Sequence, residues 1–434
     1  MNRSHKLEKS FFTALALAWL ALWAWPAGAE EPPTPEEFLE ICRTGTPEQV
    51  AQALAAGADP DDPDENGRRP LTAFGGYGGP ESDPAKARLL LAAGADPNRR
   101  DRSGRTALHA AAARAGGWPE LVEILVEAGA EVNAVDHQGR TPLTLIFCYG
   151  DMETEAAKAE ILLRAGADPD RTDPEGRTLL HHAVEEGSQN LVRTLAAGGA
   201  GVNLADRDGL TPLTLLPMIY HLSRLPESKS ATMSIAEILL GAGADPNRRD
   251  RRGDTMLHKA VFWGSPELAE KLLAAGADVD AVGQTGWPPL MHLCNSSDPL
   301  PDQLREDLLK AVLAAGPDFT PALGPGQMPN LPLEMAAYRF GPDIVQMLLE
   351  AGAPVNGAGR YHGGLYRTAL MAAARTNTDP AVAALLLKAG ADPHLRGVDG
   401  LTALEYARLD NRSPAAEEIV RLLLEAMKGE GTIE

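Results

Sequence analysis

Gly243-Ala244-Asp245-Pro246-Asn247-Arg248-Arg249-Asp250-Arg251-Arg252-Gly253-Asp254-Thr255-Met256-Leu257-His258 is nearly restated by Gly94-Ala95-Asp96-Pro97-Asn98-Arg99-Arg100-Asp101-Arg102-Ser103-Gly104-Arg105-Thr106-Ala107-Leu108-His109. Each copy runs from a glycine through a short polar segment to Thr-x-Leu-His. The glycine follows an apolar run, as in Arg88-Leu89-Leu90-Leu91-Ala92-Ala93, and so stands where an outer helix ends. A residue at that place often takes positive φ, which glycine adopts without a Cβ clash.

Working outward, the closing glycine recurs at Gly57, Gly94, Gly129, Gly166, Gly199, Gly243, Gly276, Gly316, Gly352 and Gly390. After it, Asp-Pro-Asn or Glu-Val-Asn starts an extended segment. An Asp-x-x-Gly such as Asp136–Gly139, Asp173–Gly176 or Asp206–Gly209 turns that segment back. Thr141-Pro142 and Thr211-Pro212 then open inner helices. Thr accepts from free first-turn amides, and Pro gives up an amide that would be unpaired anyway. Small residues such as Ala110 to Ala113 follow and let neighbouring helices approach closely.

These copies resemble ankyrin repeats, whose period is about 33 residues and whose helix start reads Thr-Pro-Leu-His-x-Ala. The resemblance implies an all-α ankyrin-repeat solenoid of about eleven helix-turn-helix units with short β-hairpin fingers over residues 34–428. Length alone would suggest two or three globular domains. The periodicity overrides that reading, because each pair buries its apolar face only against its neighbours. Glu36-Glu37 and Glu417-Glu418 mark solvated end caps. Residues 30–33 read as a linker and 429–434 as a disordered tail.

Spacings between closing glycines are 37, 35, 37, 33, 44, 33, 40, 36 and 38 residues, and long and short units alternate from the second to the tenth. Long units mostly continue with Asp-Pro and short ones with Val at 132, 202, 279 and 355. The pattern points to a duplicated two-repeat unit, with Phe319 in the eighth unit as the exception. The extra residues fall between helices, near 75–84, 149–154, 217–234 and 295–303.

The chain opens on Met1, Arg3, Lys6 and Lys9, then an apolar run from Phe11 to Trp25, then Ala27-Gly28-Ala29. A basic start, a short apolar core and a small-x-small site read as a secretory signal over residues 1–29, cleaved after Ala29. The run is short for a bilayer, which takes about 20 apolar residues. Nothing later is apolar for long enough to span one. The style of the signal suggests a bacterial periplasm, with secretion as the alternative. The net charge is −20, and loss of residues 1–29 makes the mature chain more acidic still. That excess argues against nucleic acid, whose phosphates need a basic footprint. Three widely spread cysteines, Cys42, Cys148 and Cys294, fall in different repeats and are expected as packed thiols.

Fingers after long units are basic: Arg99, Arg100 and Arg102; Arg171; Arg248, Arg249, Arg251 and Arg252; Arg396. They form either a ladder of contacts for an extended acidic partner or solvated charge inherited by duplication, paired with nearby Asp101 or Asp250. Tyr361 and Tyr366 sit in a lengthened finger and serve either as specificity elements or as cover for the next finger.

His109, His181 and His258, with His182, Glu185 and Glu186 nearby, invite a metal reading. The resemblance instead implies a histidine that hydrogen-bonds between repeats. Asp62-Pro63-Asp64-Glu65-Asn66-Gly67 starts like a calcium loop, but the twelfth position is Ala73. No cofactor is implied, and no nucleophile or acid–base constellation stands out in the inserts, which hold His221, Ser223 and Cys294. The resemblance therefore implies a non-enzymatic module, monomeric on its own, that binds a protein or peptide on the concave face of fingers and inner helices. A secreted effector acting on a host protein, or an enzyme or ligand-dependent protein using the inserts, are the alternatives.

Overall fold

The computed structural model describes residues 32–65, 67–75, 83–114, 118–146, 152–216, 226–295, 300–319, 331–361 and 365–428. The proposed signal, Cys148, the tail and residues 217–225 and 296–299 of the inserts lie outside them. The described residues carry eleven helix pairs, counting the 3₁₀ turn Pro70–Gly75 and the short helical stretch 212–216 as inner members. They divide into two compact units, Met1–Ala244 and Asp245–Glu434, and each is a stack of such pairs.

All ten closing glycines have φ between +70° and +99°. Four residues before each of the last nine stands a buried aliphatic: Leu90, Leu125, Leu162, Leu195 and Leu239 in the first unit, then Leu272, Val312, Leu348 and Leu386 in the second. The sequence period is thus the period of the core. In all of these but Val312, whose glycine is followed by Pro317, the carbonyl of that aliphatic accepts the N–H of the residue after the glycine, as Leu90 does from Ala95 at 3.0 Å. The glycine turns the chain out of the helix, and the same bond satisfies one of the helix's last carbonyls.

Most inner helices start at a threonine that caps them, with Thr34, Thr141 and Thr402 each accepting from the N3 amide. The helices of the long units take up part of the extra sequence. Met152–Arg164 and Asp302–Ala314 run 13 residues and Pro226–Gly241 runs 16, against 9 for Pro119–Glu127, Gln189–Ala197, Pro266–Ala274 and Pro342–Glu350. Residues 226–234, expected as an insert between helices, are therefore the first turns of an outer helix. Side chains near these longer or displaced starts reach back to the free carbonyls of inner helices. Lys86 Nζ donates to the Cys42 carbonyl at 3.0 Å, and Arg305 Nη1 to that of Leu293 at 2.8 Å. Lys158 Nζ donates to the Ala112 and Arg114 carbonyls. Each brings positive charge to the negative end of a helix dipole. Near the end of the chain Asn377 and Asn411 do the same work without charge, donating to Ala337 and Ala374.

The lengthened finger is a two-stranded antiparallel hairpin, Ala358–Tyr361 with Leu365–Thr368. Isolated bridges Thr172–Thr178 and Arg249–Thr255 close two of the shorter ones. Cys42 and Cys294 are free and buried, and burial pushes both thiols up to about 12. Among the described residues no helix is long and apolar enough to cross a membrane.

Candidate functional site

Fingers are stitched by one side chain per repeat. Asn133 Nδ2 donates to the Gly166 carbonyl at 2.9 Å, while its Oδ1 accepts from the Asp168 amide at 2.8 Å. Asn98 holds Gly129 and Glu131 in this way, Asn247 holds Gly276 and Asp278, and Asn356 holds Gly390 and Asp392. Where the position is Asp61, Asp170 or Asp280, only the accepting half remains. Gly104 shows how closely the fingers lie: its φ is +77°, and a Cβ there would stand 2.7 Å from the His137 ring.

The three motif histidines have both ring nitrogens engaged. His109 Nδ1 accepts from the Thr106 amide at 3.1 Å, and Nε2 lies 3.1 Å from the Arg140 carbonyl in the next repeat. His181 does the same between Thr178 and Leu210, and His258 between Thr255 and Trp287. An accepting Nδ1 and a donating Nε2–H define a neutral ring. Burial lowers all three pKa values from the ordinary 6.5. His182 bonds to Asp173 at 2.9 Å, and Glu185 is held by Arg177. The three motif histidines thus tie each repeat to the next, while the His182 and Glu185 contacts stay within one repeat. Asp64 likewise takes the ordinary finger position, pairing with Arg68 at 2.8 Å.

The finger arginines fall into two classes. Arg100, Arg249 and Arg396 each donate Nη1 to the turn-glycine carbonyl of their own finger, Gly104, Gly253 and Gly400. Arg100 and Arg249 also bond to the carbonyls of Val135 and Val282 in the next finger. One residue earlier in the finger, Arg99, Arg171 and Arg248 make loose pairs, 3.5–3.7 Å, with Asp96, Asp168 and Asp245, and Arg99 makes a second at 3.7 Å with Asp61 of the preceding finger. More than half of each of these side chains is exposed. Arg102 bonds to the Glu65 carbonyl, and Arg251 also has a partner within the chain. Tyr361 pairs with Leu365 and Tyr366 with Arg360 in the hairpin register, and their rings lie outside the described residues.

Sequence reasoning passed over the exposed apolar residues. Among the described residues the exposed large hydrophobics are Val135, Leu204, Val282 and Val398 on fingers, and Phe262 and Leu409 at the ends of inner helices. Phe262 is 59% exposed and Leu409 64%. The outer helices carry none. Phe262 and Leu409 share one register, seven residues after the capping threonine, with Ala113, Glu185 and Arg375. The available signal was that this position varies while the threonine and following leucine stay fixed.

The model for "Ankyrin repeats (3 copies)" matches residues 38–136, 80–159, 155–216 and 333–432, more than half of the chain. A second, "Ankyrin repeats (many copies)", matches 229–273. The chain belongs to the ankyrin repeat family. Its fold is the all-α ankyrin-repeat architecture, and such repeats imply a protein-interaction module.

Among curated proteins, human SH3 and multiple ankyrin repeat domains protein 1 is 34% identical over 113 residues, 26% of this chain and 5% of that protein. The Arabidopsis thaliana E3 ubiquitin-protein ligase KEG is 29% identical over 282 residues, 57% of this chain and 16% of that protein. The chain therefore spans only a small part of these relatives. Among solved structures, an ankyrin repeat domain from Acinetobacter baumannii is 32% identical over 48% of this chain and 98% of its own, with a TM-score of 0.40. The human ASB11 ankyrin repeat domain is 25% identical over 59% of this chain and 100% of its own, at 0.41.

Proposed function

We propose that the protein is an exported interaction module that binds a protein or peptide on the face formed by fingers and inner helices. The observation that carries this reading is the distribution of exposed apolar side chains. Val135, Leu204, Val282, Val398, Phe262 and Leu409 all stand on fingers or inner-helix ends, and the described outer helices offer no large exposed hydrophobic. A partner that covers these side chains removes apolar surface from water, which favours binding on this side of the repeats. The face behind them is held rigid by the asparagine and histidine bonds between repeats, so little ordering entropy is lost on binding. The half-exposed Arg99, Arg171 and Arg248 add polar contacts at its edge, with donors to spare for a partner's carboxylates.

Export rests on the basic start, the apolar run and Ala27-Gly28-Ala29, which suit a signal cleaved on entry to a bacterial periplasm. The amino terminus of the mature protein and its presence in a periplasmic fraction check this part. For the binding face, the mature protein is used to recover a partner, and affinity is then measured with both components pure. Val135→Asp with Leu204→Asp, or Phe262→Asp with Val282→Asp, should weaken binding about tenfold or more. Arg193→Glu on an outer helix should leave it unchanged. The opposite ranking would remove the basis for this face.

A further inference from the structure

Two places in the first unit are built on the same plan and filled differently. In the later one, Arg177 directly precedes the capping Thr178. Its Nη1 donates to both oxygens of Glu185 at 2.8 Å, and its Nε donates to Asp206 of the next finger at 3.4 Å. In the earlier one, Arg105 directly precedes Thr106 and faces Asp136, the counterpart of Asp206. The register that holds Glu185 there holds Ala113 here. The finger position of Leu210 is Arg140, whose Nε and Nη2 take Asp136 Oδ2 at 2.9 and 2.8 Å. Arg105 is left with Nε 3.6 Å from Asp136, and that buried nitrogen makes no hydrogen bond.

Next to the paired arginines an acid is lost at 113 and a base gained at 140, and three other positions of the place differ as well: Ser103 stands for Glu175, His137 for Arg207 and Gln138 for Asp208. Over these positions four changes add a positive charge and the one at His137 removes one, so the earlier place is the more positive of the two. Asp136 remains a carboxylate: burial pushes its pKa up, but the bonds from Arg140 and from the Arg140 and Gln138 amides override this and hold it below the usual range. One buried carboxylate thus serves two guanidiniums. Beside them opens a cleft of about 470 Å³ lined by Ser103, Arg105, Asp136, His137, Gln138 and Arg140. A guanidinium presents five donors in a planar fork that matches a carboxylate.

We infer that this cleft between the second and third fingers takes a carboxylate side chain, Glu or Asp, from the bound protein partner, which serves Arg105 as Glu185 serves Arg177. The inference rests on the interaction-module reading and specifies one chemical demand on the partner. A bare acid at this point gains charge-assisted bonds from Arg105 and Arg140. A neutral amide in the same place leaves the Arg105 fork without a matched acceptor. On a chain with a net charge of −20, the cleft is a local concentration of positive charge matched to a single acidic residue.

The test uses the full mature protein with labelled arginine side chains and two probes, N-acetyl-glutamate amide and its glutamine counterpart. Magnetic resonance follows the arginine Nε–Hε signals. The glutamate probe should move the Arg105 signal and the glutamine probe should not. Ala113→Glu installs the internal acid and should weaken probe binding about tenfold, the loss of about one good ionic contact, while raising the melting temperature. Arg105→Gln should abolish the response. An unmoved Arg105 signal, equal movement of all exposed arginines, or undiminished binding to Ala113→Glu would each overturn the inference. A partner that binds native protein and Ala113→Glu alike overturns it while leaving the module reading intact. Failure of any protein to bind the finger face ends that reading instead.

Discussion

His181 Nε2 stands 3.2 Å from the carbonyl of Leu210, while its Nδ1 accepts the Thr178 amide at 3.1 Å. One neutral ring thereby closes its own helix and fastens the next repeat. His109 and His258 repeat the arrangement, one more in the first unit and one in the second. A proton added at Nδ1 would face the threonine amide and break the cap. Burial lowers these folded-state pKa values, so the unfolded chain binds the proton more tightly. Stability is complete above the unfolded value of 6.5 and declines as pH falls through it toward the lowered folded values. Melting temperature against pH should show this decline, shallower in His181→Gln. A profile in His181→Gln parallel to the native one would refute the role.

Asn133 carries both a donor and an acceptor between fingers, so Asn133→Asp keeps one bond and loses the other. Asn133→Ala should cost about 1–3 kcal/mol, the usual loss for stranded backbone partners, and Asn133→Asp less. Chemical denaturation of the variants checks the order.

Glu334 occupies the motif-histidine position of the ninth repeat, Leu331-Pro332-Leu333-Glu334, where the cap is leucine and offers no hydroxyl. The residue is only 1% exposed, and neither carboxylate oxygen has a hydrogen-bond partner. Burial raises its pKa to about 8, opposed by Arg367, so it is held mainly as the neutral acid at neutral pH. Here the folded state binds the proton more tightly. Stability is fully present below the unfolded value of 4.5 and is lost as pH rises toward about 8. Glu334→Gln should therefore stabilise the second unit by a few kcal/mol above neutrality, with no gain at pH 4. Equal melting of the two proteins at pH 9 would contradict this.

Arg100 and Arg99 are adjacent in sequence and unlike in role. Arg100→Ala removes bonds to Gly104 and Val135 and should lower stability by about 1–2 kcal/mol. Arg99→Ala loses only loose pairs, with Asp96 and Asp61, made by a half-exposed guanidinium, and should change stability by less than about 0.5 kcal/mol. Thermal denaturation separates them, and Arg99 is accordingly the cleaner probe of partner contact.

Much of this was legible in the chain. The glycines, the leucines four places before them, and the Thr-x-Leu-His starts fix helix ends, core and register, because each depends on local geometry repeated at a constant interval. The arginine ladder was visible as composition only. Whether a guanidinium turns back onto Gly104 or points past Asp96 depends on the neighbouring finger, about 35 residues away. The cleft at Arg105 was hidden for the same reason. Its distinctness lies in the difference between Ala113 and Glu185, which matters only when Arg177 is seen holding the latter. The longer outer helices were read as inserts because 226–234 lacks the apolar spacing of a helix face.

Hydrogen–deuterium exchange of the mature protein, with and without its purified partner, tests the binding face most directly. Protection should concentrate on the fingers around Val135, Leu204, Val282 and Val398 and at the inner-helix ends near Phe262 and Leu409, with Gln189–Ala197 and Pro266–Ala274 unchanged. Protection on those outer helices, with the fingers exchanging as freely as before, would contradict it.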